Sequence, residues 1–118
     1  MKRLFVSIPS FDKRWKDALL SDDDLSQLQN EILNTPNLGA VMQGCEGLRK
    51  MRFAKSGMGK SGGIRICYLD MPEICVVFLI TLFKKNEQEN LTQGEVNEIA
   101  KVIRSIKQNA LTTYARRK

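Results

Sequence analysis

The spacing of apolar residues divides this chain of 118 residues into helices and strands. Residues 2–8 are rich in β-forming side chains and Pro9 closes them, which predicts a short first strand. Apolar residues at helical spacing predict a helix over 11–20. A second helix is expected to begin after Ser21, a good N-cap that three aspartates follow, and to end before Pro36.

The central part of the chain has the shorter period of β-strands. Strands are predicted at 48–54, 64–69 and 74–83, with loops at 37–47 and 55–63 and a turn at 70–73. The last of these strands is apolar on both faces, which predicts a central position in the sheet. A capping box from Thr92 to Glu95 then begins a helix that continues to about residue 110.

This order of elements predicts one α+β domain over residues 1–118. Its expected centre is a small antiparallel sheet of about four strands, with the two N-terminal helices packed on one face. The C-terminal helix is expected to join them, so that the other face stays open. Residues 110–118 end in a short basic tail that could be frayed or could touch nucleic acid or a partner.

The three cysteines are an odd number and include no C-x-x-C pair, which argues against a disulfide scaffold or a zinc site. With a turn at 70–73, Cys67 would face Val76 and Cys75 would face Tyr68. The two thiols would then lie on opposite faces of the sheet. Reduced thiols are therefore the expected state.

Charge changes the picture, because it is concentrated in one third of the chain. The formal net charge is +6, and residues 47–85 alone hold eight basic and two acidic residues. Such a cluster attracts polyanions, above all nucleic acid, although a solvated face that keeps the protein soluble would have the same composition. No apolar run approaches the roughly 18 residues of a membrane span, and Pro9 interrupts the basic, apolar start. These features predict a cytoplasmic protein without an export signal.

The basic residues of the strands fall into a pattern with chemical meaning. Lys50 and Arg52 share one face of strand 48–54, while Met51 and Phe53 share the other. Arg65 of the next strand is expected to join the two cations. The same face would also carry Lys84 or Lys85 at the end of strand 74–83.

The glycine-rich loop at 55–63 contains Gly59-Lys60-Ser61, a fragment of the P-loop motif. The full motif requires glycine where Ala54 stands and a helix where the strand 64–69 is predicted, so nucleotide hydrolysis is rejected. A flexible basic loop that touches phosphate and a plain hairpin connection remain the two alternatives.

A row of cations can serve the cleavage of RNA. The 2′-hydroxyl must lose a proton, the charge on the phosphorane must be stabilised, and the leaving 5′-oxygen must gain a proton. The chain has no histidine, so Lys and Arg would have to do this work. Each cation disfavours charge on its neighbours, so a lysine among them can exchange protons near neutral pH. No carboxylate cluster for Mg²⁺ lies near these residues, so neither metal nor cofactor is expected. A non-catalytic RNA-binding surface would fit the composition equally well.

Three patterns in order along the chain resemble the RelE/ParE superfamily of bacterial toxins, and especially its HigB branch. They are G-L-R-K-x-R at 47–52, G-x-R-x-x-Y at 63–68 and F-x-K-N-E at 83–87. The resemblance covers roughly residues 3–108. It implies a ribosome-dependent endoribonuclease, an mRNA interferase that cuts mRNA in the 30S decoding site without metal. It also implies an antitoxin from the same operon, which in HigB systems is a helix-turn-helix, HigA-like protein.

The resemblance assigns roles to particular residues. Lys50 and Arg52 match the paired cations with general-base and phosphate-stabilising roles, and Arg65 matches the arginine that stabilises the transition state. Lys85 falls where RelE has a second arginine. The remaining basic residues of this region would bind RNA: Arg49, Lys55, Lys60 and Lys84.

One position departs from the family. RelE has a functional tyrosine shortly after its second basic residue, and the nearest equivalent here is Leu91. The function implied is the toxin of a type II toxin–antitoxin system that cleaves mRNA by attack of the 2′-hydroxyl on the adjacent phosphate. Two alternatives are a non-catalytic RNA- or ribosome-binding module with the same basic face, and a structural subunit whose basic face docks an acidic protein.

Overall fold

A computed structural model describes residues 2–54, 63–88 and 90–115 of the chain. These residues form a sheet with helices on both faces. The elements in chain order are β1 (Leu4–Ser7), α1 (Pro9–Asp17), α2 (Asp22–Asn34), β2 (Ala40–Val41), β3 (Arg49–Phe53), β4 (Ile64–Met71), β5 (Val76–Lys84) and α3 (Gln93–Ala115). Among them, no helix is both long and apolar enough to span a membrane.

The two N-terminal helices follow the local signals of the sequence. Ser21 forms a capping box with Asp24: Ser21 N–H donates to Asp24 Oδ2 at 2.8 Å, and Asp24 N–H donates to Ser21 Oγ at 3.1 Å. Pro9 closes β1, as predicted, but it also begins α1. The fixed φ of proline suits the first turn of a helix, where its missing N–H costs no hydrogen bond.

The sheet has five strands in the order β1-β5-β4-β3-β2. The expectation of a mostly antiparallel sheet is confirmed, and the central place of β5 is confirmed as well. Two details differ. Strand β1 pairs with β5 in parallel, because α1 and α2 carry the chain away from β1 instead of reversing it at a hairpin. A two-residue strand, β2, lies in the predicted loop 37–47 and pairs with β3.

The predicted register between β4 and β5 was wrong. Strand β4 continues through Met71, a short 3₁₀ helix covers Pro72–Ile74, and Cys75 adopts a left-handed conformation with φ 56°. Met71 therefore pairs with Val76, and a bulge beside Cys67 shifts the ladder once more, so that Cys67 faces Thr81. A turn two residues later and a bulge were enough to change every predicted pair.

The core lies on both faces of the sheet. On one face, which we call the α1/α2 face, Phe11 and Trp15 of α1 and Leu28 and Ile32 of α2 pack on Phe53 and its neighbours in the sheet. On the other, the α3 face, Ile103 and Ala110 pack on residues that include Cys67, Leu69 and Phe78.

The expectation that all helices share one face was wrong. Helix α3 covers part of the opposite face and is fixed there at Glu46, which accepts from Arg104 Nη1 at 2.9 Å and from Lys107 Nζ at 2.6 Å. The helix also continues beyond residue 110 to Ala115. The face with Lys50 and Arg52 is therefore covered over part of its area, and only the remainder stays open.

Candidate nucleic-acid interface

Strand register brings the predicted cations together on the α3 face. Arg52 of β3 pairs with Arg65 of β4, and Lys50 pairs with Cys67. Residues that pair directly point to the same face of a sheet, so the three cations form one surface. Lys50 and Arg52 are two residues apart on β3, which separates them by about 7 Å along the strand. We call Lys50, Arg52 and Arg65 the cation row.

Arg65 is the unusual member of the cation row. It is 8% exposed, and its Nη1 atom has no hydrogen-bond partner among the residues that the structure describes. The ion pairs within those residues do not include any member of the row. A buried guanidinium nitrogen without an acceptor lowers the free energy of unfolding, because it has lost its hydrogen bonds to water. An anion that enters the row would satisfy it, and a guanidinium fits the oxygens of phosphate well.

Lys50 is held from a distant part of the chain. Its Nζ donates to Asn90 Oδ1 at 3.3 Å, and the same oxygen accepts from Leu91 N–H at 3.0 Å. This contact joins β3 to the segment before α3 and places the ammonium group at the end of the cation row. Sequence reasoning missed Asn90, because no local pattern relates residues that are 40 positions apart.

Two other predicted cations lie away from the row. Arg49 precedes Lys50 and so belongs to the opposite face, where its Nη1 donates to Gly39 O at 2.7 Å. Lys84 pairs with Ile64 of the α1/α2 face and lines a hollow there with residues of α1. Its Nζ lies 4.0 Å from Glu87 Oε1. Of the two lysines expected at the end of this strand, Lys84 therefore lies on the opposite face from Arg65.

Lys85 follows β5 and is exposed. Its backbone N–H donates to Gly63 O at 3.4 Å, which keeps it beside the start of β4, two residues from Arg65. Of the two lysines at the end of β5, Lys85 is the one whose backbone is bonded next to the strand that carries Arg65. Lys55 and Lys60 lie outside the described residues.

Two groups of β4 that could act as a nucleophile or an acid, the Cys67 thiol and the Tyr68 hydroxyl, belong to fully buried residues. Burial raises the pKa of Cys67 to about 12, although the charge of Lys50 opposes this shift. Burial also raises the pKa of Tyr68, whose hydroxyl donates to Pro36 O at 2.8 Å and accepts from Gly39 N–H at 3.0 Å. Both groups are held in their neutral forms and serve the packing of the sheet.

Carboxylates are sparse around the row. The acidic residue of β4, Asp70, accepts from Arg3 Nε at 2.8 Å at the far end of the strand. Glu95 is engaged by Thr92, Gln88 and Arg14 at the start of α3. Across the described part of the chain, no group of three or more Cys, Asp or Glu residues is arranged to hold a metal ion. The groups available at the row are therefore positive charges and hydrogen-bond donors.

This fold and this surface define a small α+β protein with a cationic sheet face. Residues 2–118 match the family model described as the RelE toxin of the RelE/RelB toxin–antitoxin system, and the chain belongs to that family. The fold is also similar to a solved structure of the E. coli toxin RelE, a double arginine-to-alanine mutant in the free state. That match has a TM-score of 0.53 and 24% sequence identity, and it covers 85% of this chain and 95% of the other.

Proposed function

We propose that this toxin is a HigB-type mRNA interferase, a ribosome-dependent endoribonuclease that works without metal. The observation that carries the proposal is Arg65, a buried guanidinium whose Nη1 atom has no acceptor among the described residues, directly across from Arg52 and on the same face as Lys50. Such a row is arranged to receive an anion that approaches from solvent. In an RNA-cleaving toxin this anion is the scissile phosphate.

The reaction follows from the chemistry of the row. The 2′-oxygen bonds to the adjacent phosphorus, the bond from phosphorus to the 5′-oxygen breaks, and a 2′,3′-cyclic phosphate and a 5′-hydroxyl result. We assign the acceptance of the 2′-hydroxyl proton to Lys50. Arg52 and Arg65 stabilise the charge on the non-bridging oxygens, which grows in the transition state.

The leaving 5′-oxygen must gain a proton, and the donor differs from that of RelE. Leu91 stands where a tyrosine is expected, and the hydroxyl of Tyr68 is already bonded on the opposite face. Lys84 also points to that face. We assign the proton donor to Lys85 or to ribosomal RNA.

Partners follow from the same proposal. The family pairs its toxin with an antitoxin, and we propose a HigA-like helix-turn-helix protein in this role. The substrate is mRNA in the decoding site of the small ribosomal subunit, which places the toxin in the cytoplasm. The basic side chains Lys55 and Lys60 of the glycine-rich loop would add contacts to phosphate, as would Arg49 and Lys84 outside the row.

The proposal is tested by replacing Arg65 with methionine, which keeps most of the side-chain length and removes the charge. We expect induced Arg65→Met to allow normal growth, and discrete new 5′ ends on translated mRNA to fall about a hundred- to a thousand-fold in primer extension. Arg104→Met is the matched control, because Arg104 lies on α3 and bonds Glu46 instead of substrate.

The control should arrest growth and cut mRNA like the parent protein. Circular dichroism should give equal folded fractions for both variants. Growth arrest and new 5′ ends from a folded Arg65→Met protein would contradict the site assignment.

A second function is supported by Leu91, which removes the expected hydroxyl. A non-catalytic module would use the same row to hold RNA on the ribosome. It would bind RNA with the strong salt dependence of phosphate contacts but would produce no new 5′ ends after induction.

A further inference from the structure

A hollow of about 340 Å³ opens beside the cation row, between β2 and the segment that leads into α3. Its walls are mainly apolar, and they come from two separate parts of the chain: Val41, Met42, Leu91 and Val96. Val41 is 55% exposed, so this surface remains open to solvent. We call it the base hollow.

Polar groups stand at the rim of the base hollow. Lys50 and Asn90 line it, joined by their hydrogen bond of 3.3 Å, and the exposed amide of Gln43 lies on the β2 side. Asn90 Oδ1 accepts two hydrogen bonds, and the same side chain carries Nδ2 as a donor. The base hollow thus combines an apolar interior with amides that can meet the edge of a planar heterocycle.

Lys50 belongs to both the base hollow and the cation row. Along β3 the order is the base hollow, Lys50 and then Arg52 with Arg65 opposite. Lys50 and Arg52 are separated by about 7 Å. A nucleotide has the same order of parts: an apolar, planar base, a ribose with its 2′-hydroxyl, and an anionic phosphate.

We propose that the base hollow holds the nucleobase on the 5′ side of the scissile phosphate. This inference rests on the proposed function and adds a second subsite to it. With the base in the hollow, the ribose of that nucleotide lies against Lys50, and its 3′-phosphate meets Arg52 and Arg65. The 2′-hydroxyl that attacks the phosphate is then the group closest to Lys50.

The charges beside the base hollow favour a nucleobase over an apolar partner protein as its occupant. An apolar partner protein would cover Val41 equally well but would leave Lys50, Arg52 and Arg65 beside it without an anion. A single-stranded nucleic acid satisfies both surfaces together, because its bases bury apolar area while its phosphates pair with cations.

The test compares adenosine 3′-monophosphate with inorganic phosphate in titrations of the whole protein, followed by NMR. The reporters are the Nε–H signals of Arg52 and Arg65 and the methyl signals of Val41 and Leu91. We expect both probes to shift the arginine signals, but only the nucleotide to shift the methyl signals. The nucleotide should bind about tenfold more tightly than phosphate, because its base buries apolar surface in the base hollow.

Two variants separate the subsites. Val41→Ser should weaken nucleotide binding severalfold and leave phosphate binding unchanged. Leu38→Ser is the matched control, because Leu38 is 51% exposed and lies outside the base hollow. It should leave both affinities unchanged.

Other results would overturn the inference in distinguishable ways. If the nucleotide and phosphate shift the same arginine signals with equal affinity, the base hollow is not a base subsite, while the cation row and the proposed function stand. If neither probe shifts the arginine signals, the cation row is not a phosphate site and the proposed function fails with it. Methyl shifts from the nucleotide that persist in Val41→Ser with unchanged affinity would also contradict the inference.

Discussion

The two faces of β4 bury polar side chains in opposite ways. On the α1/α2 face, Tyr68 is fully buried and its hydroxyl makes two hydrogen bonds, to Pro36 O and from Gly39 N–H. On the α3 face, Arg65 is 8% exposed and its Nη1 atom makes none among the described residues. Burial alone therefore does not separate a structural residue from a functional one.

Hydrogen bonding makes the distinction. A buried polar group with its partners fixes the local structure, since the cost of removing it from water is offset. A buried polar group without a partner lowers stability unless a ligand satisfies it. Arg65 therefore carries a cost in the free energy of folding that Tyr68 does not, and an anion bound at the open part of the α3 face would offset it.

The largest effect on stability is expected on the α1/α2 face, where the side chains are closely packed. Phe53→Ala removes a ring that is 1% exposed and lies 6.0 Å from Trp15 between ring centres. We expect a loss of about 3–5 kcal/mol in the free energy of unfolding, measured with urea. Val102→Ala on the exposed side of α3 is the control and should change it by less than about 0.5 kcal/mol. A loss below about 1 kcal/mol for Phe53→Ala would show that this face is not closely packed.

An intermediate effect is expected from Tyr68→Phe. The change deletes one oxygen and leaves Pro36 O and Gly39 N–H without their partner, which should cost about 1–3 kcal/mol in the free energy of unfolding. Cleavage of mRNA by the folded protein should not change. If cleavage fell a hundredfold while stability was unchanged, Tyr68 would be the missing proton donor and the comparison with Arg65 would fail.

The smallest effect is expected at the start of α3, from Glu95. Its pKa is lowered, first by the backbone N–H of Thr92, then by Gln88, and also by the charge of Arg14, while burial opposes the shift. A carboxyl group whose pKa is lowered by folding stabilises the folded state at pH values above its ordinary pKa. This contribution is lost as the pH falls through the pKa of the group in the folded state.

Glu95→Gln should therefore flatten the fall in thermal stability between about pH 5 and pH 3. The effect should stay below about 1 kcal/mol, because the group is partly exposed. Glu98→Gln is the control, since Glu98 bonds only Lys101 across 3.5 Å on an exposed surface. An equal pH profile for Glu95→Gln and the parent protein would show that the capping box does not contribute to acid stability.

Much of the fold was predictable because its signals are local. Ser21 caps α2 as predicted, the capping box predicted at Thr92 is formed, and Pro36 follows the end of α2. The alternation in β3 also placed Lys50 and Arg52 on one face. Each of these signals depends on residues within four positions of one another.

The site was predictable only in part. Strand pairing was needed to place Arg65 across from Arg52, and here the expectation and the structure agree. Of the two lysines expected at the end of β5, Lys84 lies on the opposite face from Arg65, because the bulge beside Cys67 adds one residue to β5 and so reverses the faces of the residues that follow it.

The sequence by itself therefore determined the order of the helices and the longer strands, the α+β class and the concentration of positive charge in the middle of the chain. Only the tertiary structure decided that α3 covers part of the cationic face, that Arg65 is buried with no partner for its Nη1 atom among the described residues, and that Asn90 bonds Lys50 beside a hollow. The reason is physical: helix caps and strand alternation arise from neighbours in the chain, whereas burial and electrostatic surroundings depend on which distant segments pack together.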